Sequence, residues 1–195
     1  MTESISADRV ESRRLPGVEG VWVFIAADMA MFGVLFVSFM LERLKNPALF
    51  EQSRRALDVN FGGINTLILL TSSWFVCLAV DAAKRDQLPQ VPHHLASAFV
   101  CGLAFCVSKA FEYTKKLTAG ISMLTNDFYM FYYTLTGMHF MHVVAGCVVL
   151  SVLWNKSRAG AFTSDNHVGL ECGASYWHMV DVLWIVLFPL LYLLR

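Results

Sequence analysis

The sequence predicts an all-α integral membrane protein, built as a bundle of five transmembrane helices. Of its 195 residues, 56% are hydrophobic and 15% are charged. A soluble domain is typically about 45–50% apolar and about 25% charged, so both departures favour a lipid environment. Five apolar stretches also approach the length of about 20 residues that a helix needs to cross a bilayer.

The five stretches follow one another along the chain, separated by segments that contain helix-breaking residues. They cover residues 21–41, 64–80, 95–111, 128–154 and 172–194. Pro16 and Gly17 precede the first stretch, Pro47 opens a loop after it, and Pro89 and Pro92 mark the short loop after the second. We predict a polar amino-terminal tail over residues 1–19 and one helical bundle over residues 20–195, without a separate soluble domain.

Charge and cysteine content argue against several classes of protein. The formal net charge is zero, so nothing in it indicates nucleic-acid binding. The five cysteines are an odd, scattered set without C-x-x-C spacing, which argues against a disulfide framework or a zinc site. The sequence has no phosphate-binding loop and no nucleophile paired with a base, so it offers no catalytic machinery of its own.

Ionisable residues lie well inside every predicted helix except the second. A charged group at the bilayer centre costs roughly 2.5–3.5 kcal/mol, so such groups face a bundle interior, a partner or a watery path. The candidate buried polar residues are Asp28, Asn65, Glu112, His139, His142, His178 and Asp181, and Lys109 lies near Glu112 on the third helix. At a rise of about 1.5 Å per residue, those on the first, fourth and fifth helices fall at one depth. We therefore predict an interhelical polar layer shared by these three helices.

Three pairs among these residues are spaced i, i+3, which places both members on one helix face. Lys109 and Glu112 have this spacing and can neutralise each other. The H-x-x-H of the fourth helix could ligate a metal, and histidines from two helices could bind haem. Interhelical hydrogen bonding is the commoner use of such residues in membrane bundles, so we predict no metal site.

Aromatic residues are concentrated where the fourth and fifth helices are predicted to begin. We interpret them as anchors at the membrane–water interface, where Tyr and Trp are enriched. They are Phe128, Tyr129, Phe131, Tyr132, Tyr133, Tyr176 and Trp177.

Several motifs, in the same order along the chain, resemble those of the cytochrome c oxidase subunit III family. SYWHMVDVLWIVLF over residues 175–188 resembles the last helix of that family, and TGMHFMHVVAG over 136–146 the preceding helix. Asp28 stands where the family has an intramembrane carboxylate, usually Glu. The pairs Asn65-Thr66 and Glu112-Tyr113 also match. The chain is similar to the five-helix members, and its LPGVEGVWVFIAADM opening looks most like the homologues encoded with nitric oxide reductases.

This resemblance implies an accessory subunit without haem or copper. Such a subunit docks against the haem-bearing catalytic subunit, binds structural phospholipid, and supports assembly, proton uptake and protection of the catalytic centre. It implies a bacterial inner membrane location, with the amino terminus cytoplasmic and the carboxyl terminus periplasmic. Asp28 becomes the intramembrane carboxylate. The other candidate residues become buried polar groups that are proton-linked or line a lipid cleft.

Two alternatives stay open at the level of the sequence. A small proton-coupled transporter could use the Asp and His residues as a proton relay. An enzyme could instead hold a metal between His and Asp side chains in the membrane. Neither broken helices nor an internal repeat, which transporter sites often show, is visible in the sequence.

Overall fold

In the computed structural model, residues 19–163 and 166–194 are described, and their regular structure is helical. Six α-helices run through them: α1 Glu19–Lys45, α2 Pro47–Arg55, α3 Val59–Lys84, α4 Val91–Thr118, α5 Asp127–Arg158 and α6 Val168–Phe188. A 3₁₀ turn at Leu88–Gln90 precedes α4, and a π-helical turn at Pro189–Leu193 extends α6. The all-α prediction is confirmed. Residues 1–18 of the predicted tail lie outside the described residues.

Five of these helices, all except α2, are long and apolar enough to cross a membrane. They extend beyond the apolar stretches because polar residues continue and cap them at their ends. Asp58 begins α3, where its Oδ1 accepts hydrogen bonds from the backbone N–H groups of Asn60 and Phe61 at 3.0 and 3.3 Å. Asn126 caps α5 in the same way, accepting from the N–H of Tyr129 at 3.0 Å. Such caps satisfy backbone donors that a helix start leaves unpaired.

The membrane helices form a ring with one helix outside it. Within the ring, α3 packs against α4, α4 against α5, α5 against α6, and α6 against α3. The outer helix, α1, lies against α5 and α6 and buries Phe32 and Phe39 there. Much of α1 faces outward, and its exposed large side chains are Val23, Phe24, Met29, Met31, Val34, Val37, Leu41 and Leu44.

Trp177 of α6 lies inside the ring, against α4 and α5. Its side chain is fully buried. A Cβ built on Gly146 of α5 would lie 2.6 Å from the Trp177 ring, and one on Gly102 of α4 would lie 2.9 Å from it. The two glycines therefore provide the space that the indole occupies, as small residues do where membrane helices pack closely.

The interpretation of the aromatic residues as interface anchors is wrong for most of them. Trp177 and Tyr132 have no exposed surface, and Phe128 and Tyr129 are 1% and 5% exposed. Three of these rings pack edge to face inside the bundle, Phe128 on Tyr129 and Tyr129 on Tyr132, at centroid distances of 5.4 and 6.4 Å. Edge-to-face packing of this kind favours ring contacts beyond the burial of area.

The short helix α2 closes one end of the bundle, where the sequence reading placed only a loop after Pro47. It buries Phe50. Hydrogen bonds donated by Arg54 and Arg55 lower the pKa of Glu51, which is partly exposed, to about 2. Arg54 also donates to the backbone oxygen of Tyr192 at 3.1 Å. In this way α2 is tied to the π-helical turn at the carboxyl end.

We expect Gly146→Ala to destabilise the bundle by about 1–3 kcal/mol, because the added methyl group overlaps the Trp177 ring in a packed core. Thermal unfolding of the purified protein in mild detergent measures this. The matched control is Gly63→Ala on α3, whose Cβ would meet nothing within 4 Å. The control should keep or raise stability, since Ala favours a helix over Gly by about 1 kcal/mol. Equal stability of the two variants would contradict the packing argument.

Candidate functional site

The largest buried polar cluster is centred on the ion pair between Lys109 and Glu112, one turn apart on α4. Lys109 Nζ lies 2.8 Å from Glu112 Oε2, and the Lys109 side chain has no exposed surface. The second carboxylate oxygen, Oε1, accepts hydrogen bonds from the hydroxyls of Tyr132 at 2.7 Å and Tyr192 at 3.0 Å. Lys109 also donates to the Tyr192 hydroxyl at 3.1 Å. The cluster thus joins α4, α5 and the π-helical turn.

Aromatic rings surround the Lys109 ammonium group on its remaining sides. Nζ lies 4.9 Å from the Trp184 ring centroid and 5.5–5.8 Å from the centroids of Tyr113, Tyr132 and Tyr192. Cation–π attraction acts within about 6 Å and is strongest where the cation is desolvated. The rings therefore replace part of the hydration that the buried ammonium group has lost.

A second polar contact joins α1 to α5 through Asp28 and His142. Asp28 Oδ2 lies 3.2 Å from His142 Nε2, and both side chains are mostly buried. The other ring nitrogen, Nδ1, lies 2.8 Å from the backbone oxygen of Met138, which fixes the ring. Since a carbonyl oxygen can only accept, Nδ1 carries the proton, and a proton on Nε2 requires the imidazolium form. The contact can therefore hold a proton between a carboxylate and an imidazole.

A third polar group joins α3 to α6 around His178. Ser73 Oγ lies 2.6 Å from His178 Nδ1, and Cys77 Sγ lies 3.5 Å from Nε2. Asp181 Oδ2 is 3.9 Å from Nδ1, and neither Asp181 carboxyl oxygen has a hydrogen-bond partner among the described residues. His178 keeps 35% of its side chain exposed and borders two grooves of about 310 and 300 Å³. The buried Asp181 carboxyl group therefore lies behind a histidine that reaches the surface.

Two further candidate residues are buried without full hydrogen bonding. His139 is fully buried against Phe105 and Trp184, and within the described residues neither ring nitrogen has a partner. Asn65 accepts from the Ser108 hydroxyl at 2.6 Å, and its amide nitrogen has no partner in the same part of the chain. A buried unpaired polar group costs about 1–3 kcal/mol. The burial of these two side chains therefore lowers the stability of the bundle.

The predicted polar layer divides into two separate contacts in the structure. Asp28 meets His142, as expected of residues at one depth on the first and fourth membrane helices. His178 is instead paired with Ser73 of α3, and Asp181 lies 3.9 Å from His178. Sequence reasoning missed Ser73 because one serine on an apolar helix carries no signal of its own. The i, i+3 spacing correctly indicated the Lys109–Glu112 ion pair.

The arrangement can exchange protons and form hydrogen bonds, and it does not assemble a metal-ligand set. Across residues 19–163 and 166–194, no three His, Cys, Asp or Glu side chains are grouped as metal ligands. All five cysteines, which fall within these ranges, are free. Among the candidate residues, Asp28, Glu112, His142 and His178 make side-chain hydrogen bonds between helices.

Comparison with known proteins decides the family. The family model of cytochrome c oxidase subunit III matches residues 16–194, almost the whole chain. The chain belongs to the cytochrome c oxidase subunit III family. The match includes every candidate polar residue, so all of them lie in the part that the family shares. The family assignment leaves the transporter alternative without support.

Named relatives cover most of this chain. Cytochrome c oxidase subunit 3 of Thermostichus vulcanus is 34% identical over 181 residues, which are 91% of this chain and 87% of the relative. The subunit 3 of a Synechocystis strain is 34% identical over 176 residues, 90% and 74% of the two chains. A protein of Aeropyrum pernix named heme-copper oxidase subunit I+III is 31% identical over 180 residues, which are 89% of this chain and 22% of that protein.

We expect Lys109→Met to destabilise the protein by about 3–5 kcal/mol, because it leaves the Glu112 carboxylate without its buried cation. Glu112→Gln should also destabilise the protein, because it leaves the buried Lys109 ammonium group without its carboxylate. The double variant, Lys109→Met with Glu112→Gln, removes both charges and should lose less than the sum of the two single losses. Thermal unfolding of the four proteins in one detergent measures the cycle. If the stability loss of the double variant equalled the sum of the two single losses, the Lys109–Glu112 ion pair would be contradicted.

Removal of either Asp28 or His142 should lower the free energy of unfolding by about 1–3 kcal/mol, since the other side chain is left buried without its hydrogen-bond partner. Asp28→Ala and His142→Ala are therefore expected to be less than additive in unfolding measurements. Asp28→Ala combined with His178→Ala is the control, because these residues share no hydrogen-bond partner. Additive losses in the control and coupled losses in the first pair are expected. Equal coupling in both pairs would favour a single continuous layer.

Proposed function

We propose that this chain is the accessory, non-redox subunit of a respiratory haem-copper complex and docks against its haem-bearing catalytic subunit. The observation that carries the proposal is the family match across residues 16–194. The Aeropyrum pernix relative, named subunit I+III, supports the partner because its name places both subunits in one chain. The ion pairs and hydrogen bonds described above use the chain's polar groups to hold its own helices together, which suits a supporting role.

Two complexes are candidates for the partner. The named relatives are subunits of cytochrome c oxidases or of a haem-copper oxidase. The amino-terminal motif LPGVEGVWVFIAADM favours a nitric oxide reductase complex instead. Both complexes use a haem-bearing catalytic subunit. The distinction therefore concerns the substrate of the partner, while the role of this chain is the same in each.

The polar contacts suggest how the chain serves proton uptake by its partner. Asp28 and His142 can hold a proton between α1 and α5, and His178 connects Asp181 to grooves at the surface. Both contacts lie nearer the membrane face at which α1 begins. We propose that this face is cytoplasmic in a bacterial inner membrane, with the carboxyl terminus periplasmic. Phospholipid would be bound as a structural component rather than as a cofactor.

The proposal is tested by affinity purification of the tagged chain from its own membranes in mild detergent. We expect a haem protein to be retained, shown by haem staining and a reduced-minus-oxidised absorbance spectrum. Oxygen consumption or nitric oxide consumption by the purified complex then identifies the partner. The control is a tagged, unrelated five-helix membrane protein, which should retain no haem.

Two results would contradict the accessory role. One is the absence of any haem protein from material that is folded and extracted gently. The other is haem absorbance in the chain after it has been separated from all other subunits, since the proposed role gives the redox chemistry to the partner.

A further inference from the structure

A cavity of about 230 Å³ lies beside the Lys109–Glu112 cluster, at the membrane face where α3 begins and α4 ends. Its polar lining consists of Asp58, Glu112, Lys115 and Lys116. Its apolar lining includes Phe61 and Phe111, and Phe111 is 64% exposed on the membrane-facing side of α4. The cavity therefore combines a charged end with aromatic walls that continue onto the outer surface of the bundle.

The charges around the cavity do not balance. The Glu112 carboxylate is already neutralised by Lys109 at 2.8 Å, and it accepts two tyrosine hydrogen bonds as well. Lys116 Nζ lies further from the same carboxylate, at 3.6 Å from Oε1. Three ammonium groups lie in or beside the cavity, those of Lys109, Lys115 and Lys116. Only two carboxylates lie with them, those of Asp58 and Glu112. One positive charge is left unmatched at the cavity.

Lys116 is held in place rather than free in solvent. Its side chain is only 11% exposed, and its ammonium group lies 5.2 Å from the Tyr132 ring centroid. A partly desolvated cation with an incomplete counter-charge attracts an anion strongly. The Tyr132 ring and Glu112 already fix the position of the Lys116 side chain. An anion that binds Lys116 therefore causes little further loss of side-chain conformational entropy.

The depth of the cavity identifies the anion available to it. Lys115 and Lys116 stand in the last turn of α4, at the end of a membrane span. The headgroup layer begins where the hydrocarbon core of about 30 Å ends, so phospholipid phosphates lie at this level. A phosphodiester carries a single negative charge, which equals the unmatched positive charge. Phe61 and Phe111 would contact the acyl chains below it.

We infer that this cavity binds the phosphodiester group of a membrane phospholipid, through Lys115 and Lys116. The inference deepens the lipid binding proposed above by naming the site and the recognised group. Dissolved inorganic phosphate offers similar chemistry, and the experiment below separates the two sources.

The test uses the complex purified with this chain and returned to nanodiscs of phosphatidylethanolamine with photoactivatable phosphatidylglycerol, whose diazirine sits on the acyl chain near the headgroup. After illumination, mass spectrometry of peptides maps the labelled residues. We expect labelling around Phe61 and Phe111. The double variant Lys115→Gln with Lys116→Gln should reduce it about tenfold, since each basic residue near an anionic lipid contributes substantially to binding. The matched control is Lys45→Gln, an exposed lysine at the same membrane face.

The outcomes are separable. Unchanged labelling in the double variant overturns the site, and so does loss of labelling in the presence of excess inorganic phosphate, which would indicate a soluble anion. If the double variant fails to assemble, Lys115→Gln alone carries the test, because this side chain is exposed. Loss of the site in a complex that keeps its haem subunit leaves the accessory role intact. Labelling that persists in a chain with no haem partner supports the site and counts against that role.

Discussion

The ion pair between Lys109 and Glu112 is the interaction on which the packing of this bundle most depends. It places two charges in a region with almost no access to water, where an unpaired charge would cost several kcal/mol. The pair is stable there because Tyr132 and Tyr192 donate to the carboxylate and aromatic rings surround the ammonium group. These partners come from α5, α6 and the π-helical turn. Satisfying one ion pair thus fixes the relative positions of three elements and orders the carboxyl end of the chain.

Sequence reasoning predicted the elements more fully than the contacts among them. The five membrane helices followed from apolar length, and the Lys109–Glu112 pair followed from i, i+3 spacing on one helix. Both signals are local, so a single sequence carries them. The α2 helix was missed because nine residues opening with proline do not stand out from a loop. The burial of Trp177 was missed because it depends on Gly102 and Gly146, which are distant in sequence.

The candidate site shows the same division. The depth of each residue along its helix correctly predicted that Asp28 lies near His142. Depth does not specify the rotation of a helix about its axis. That rotation places His178 within hydrogen-bonding distance of Ser73 on α3, at 2.6 Å. The result is two separate polar contacts, one between α1 and α5 and one between α3 and α6.

The position of α1 outside the ring has a consequence for synthesis of the protein. Asp28 is inserted into the bilayer as soon as α1 emerges, but its partner His142 follows 114 residues later. Until α5 arrives, a carboxyl group without its partner remains at membrane depth, at an insertion cost of roughly 2.5–3.5 kcal/mol. The first helix therefore lies in the bilayer before its polar partner on α5 has been synthesised. Insertion of α1 precedes its pairing with His142 by the synthesis of three further membrane helices, α3, α4 and α5.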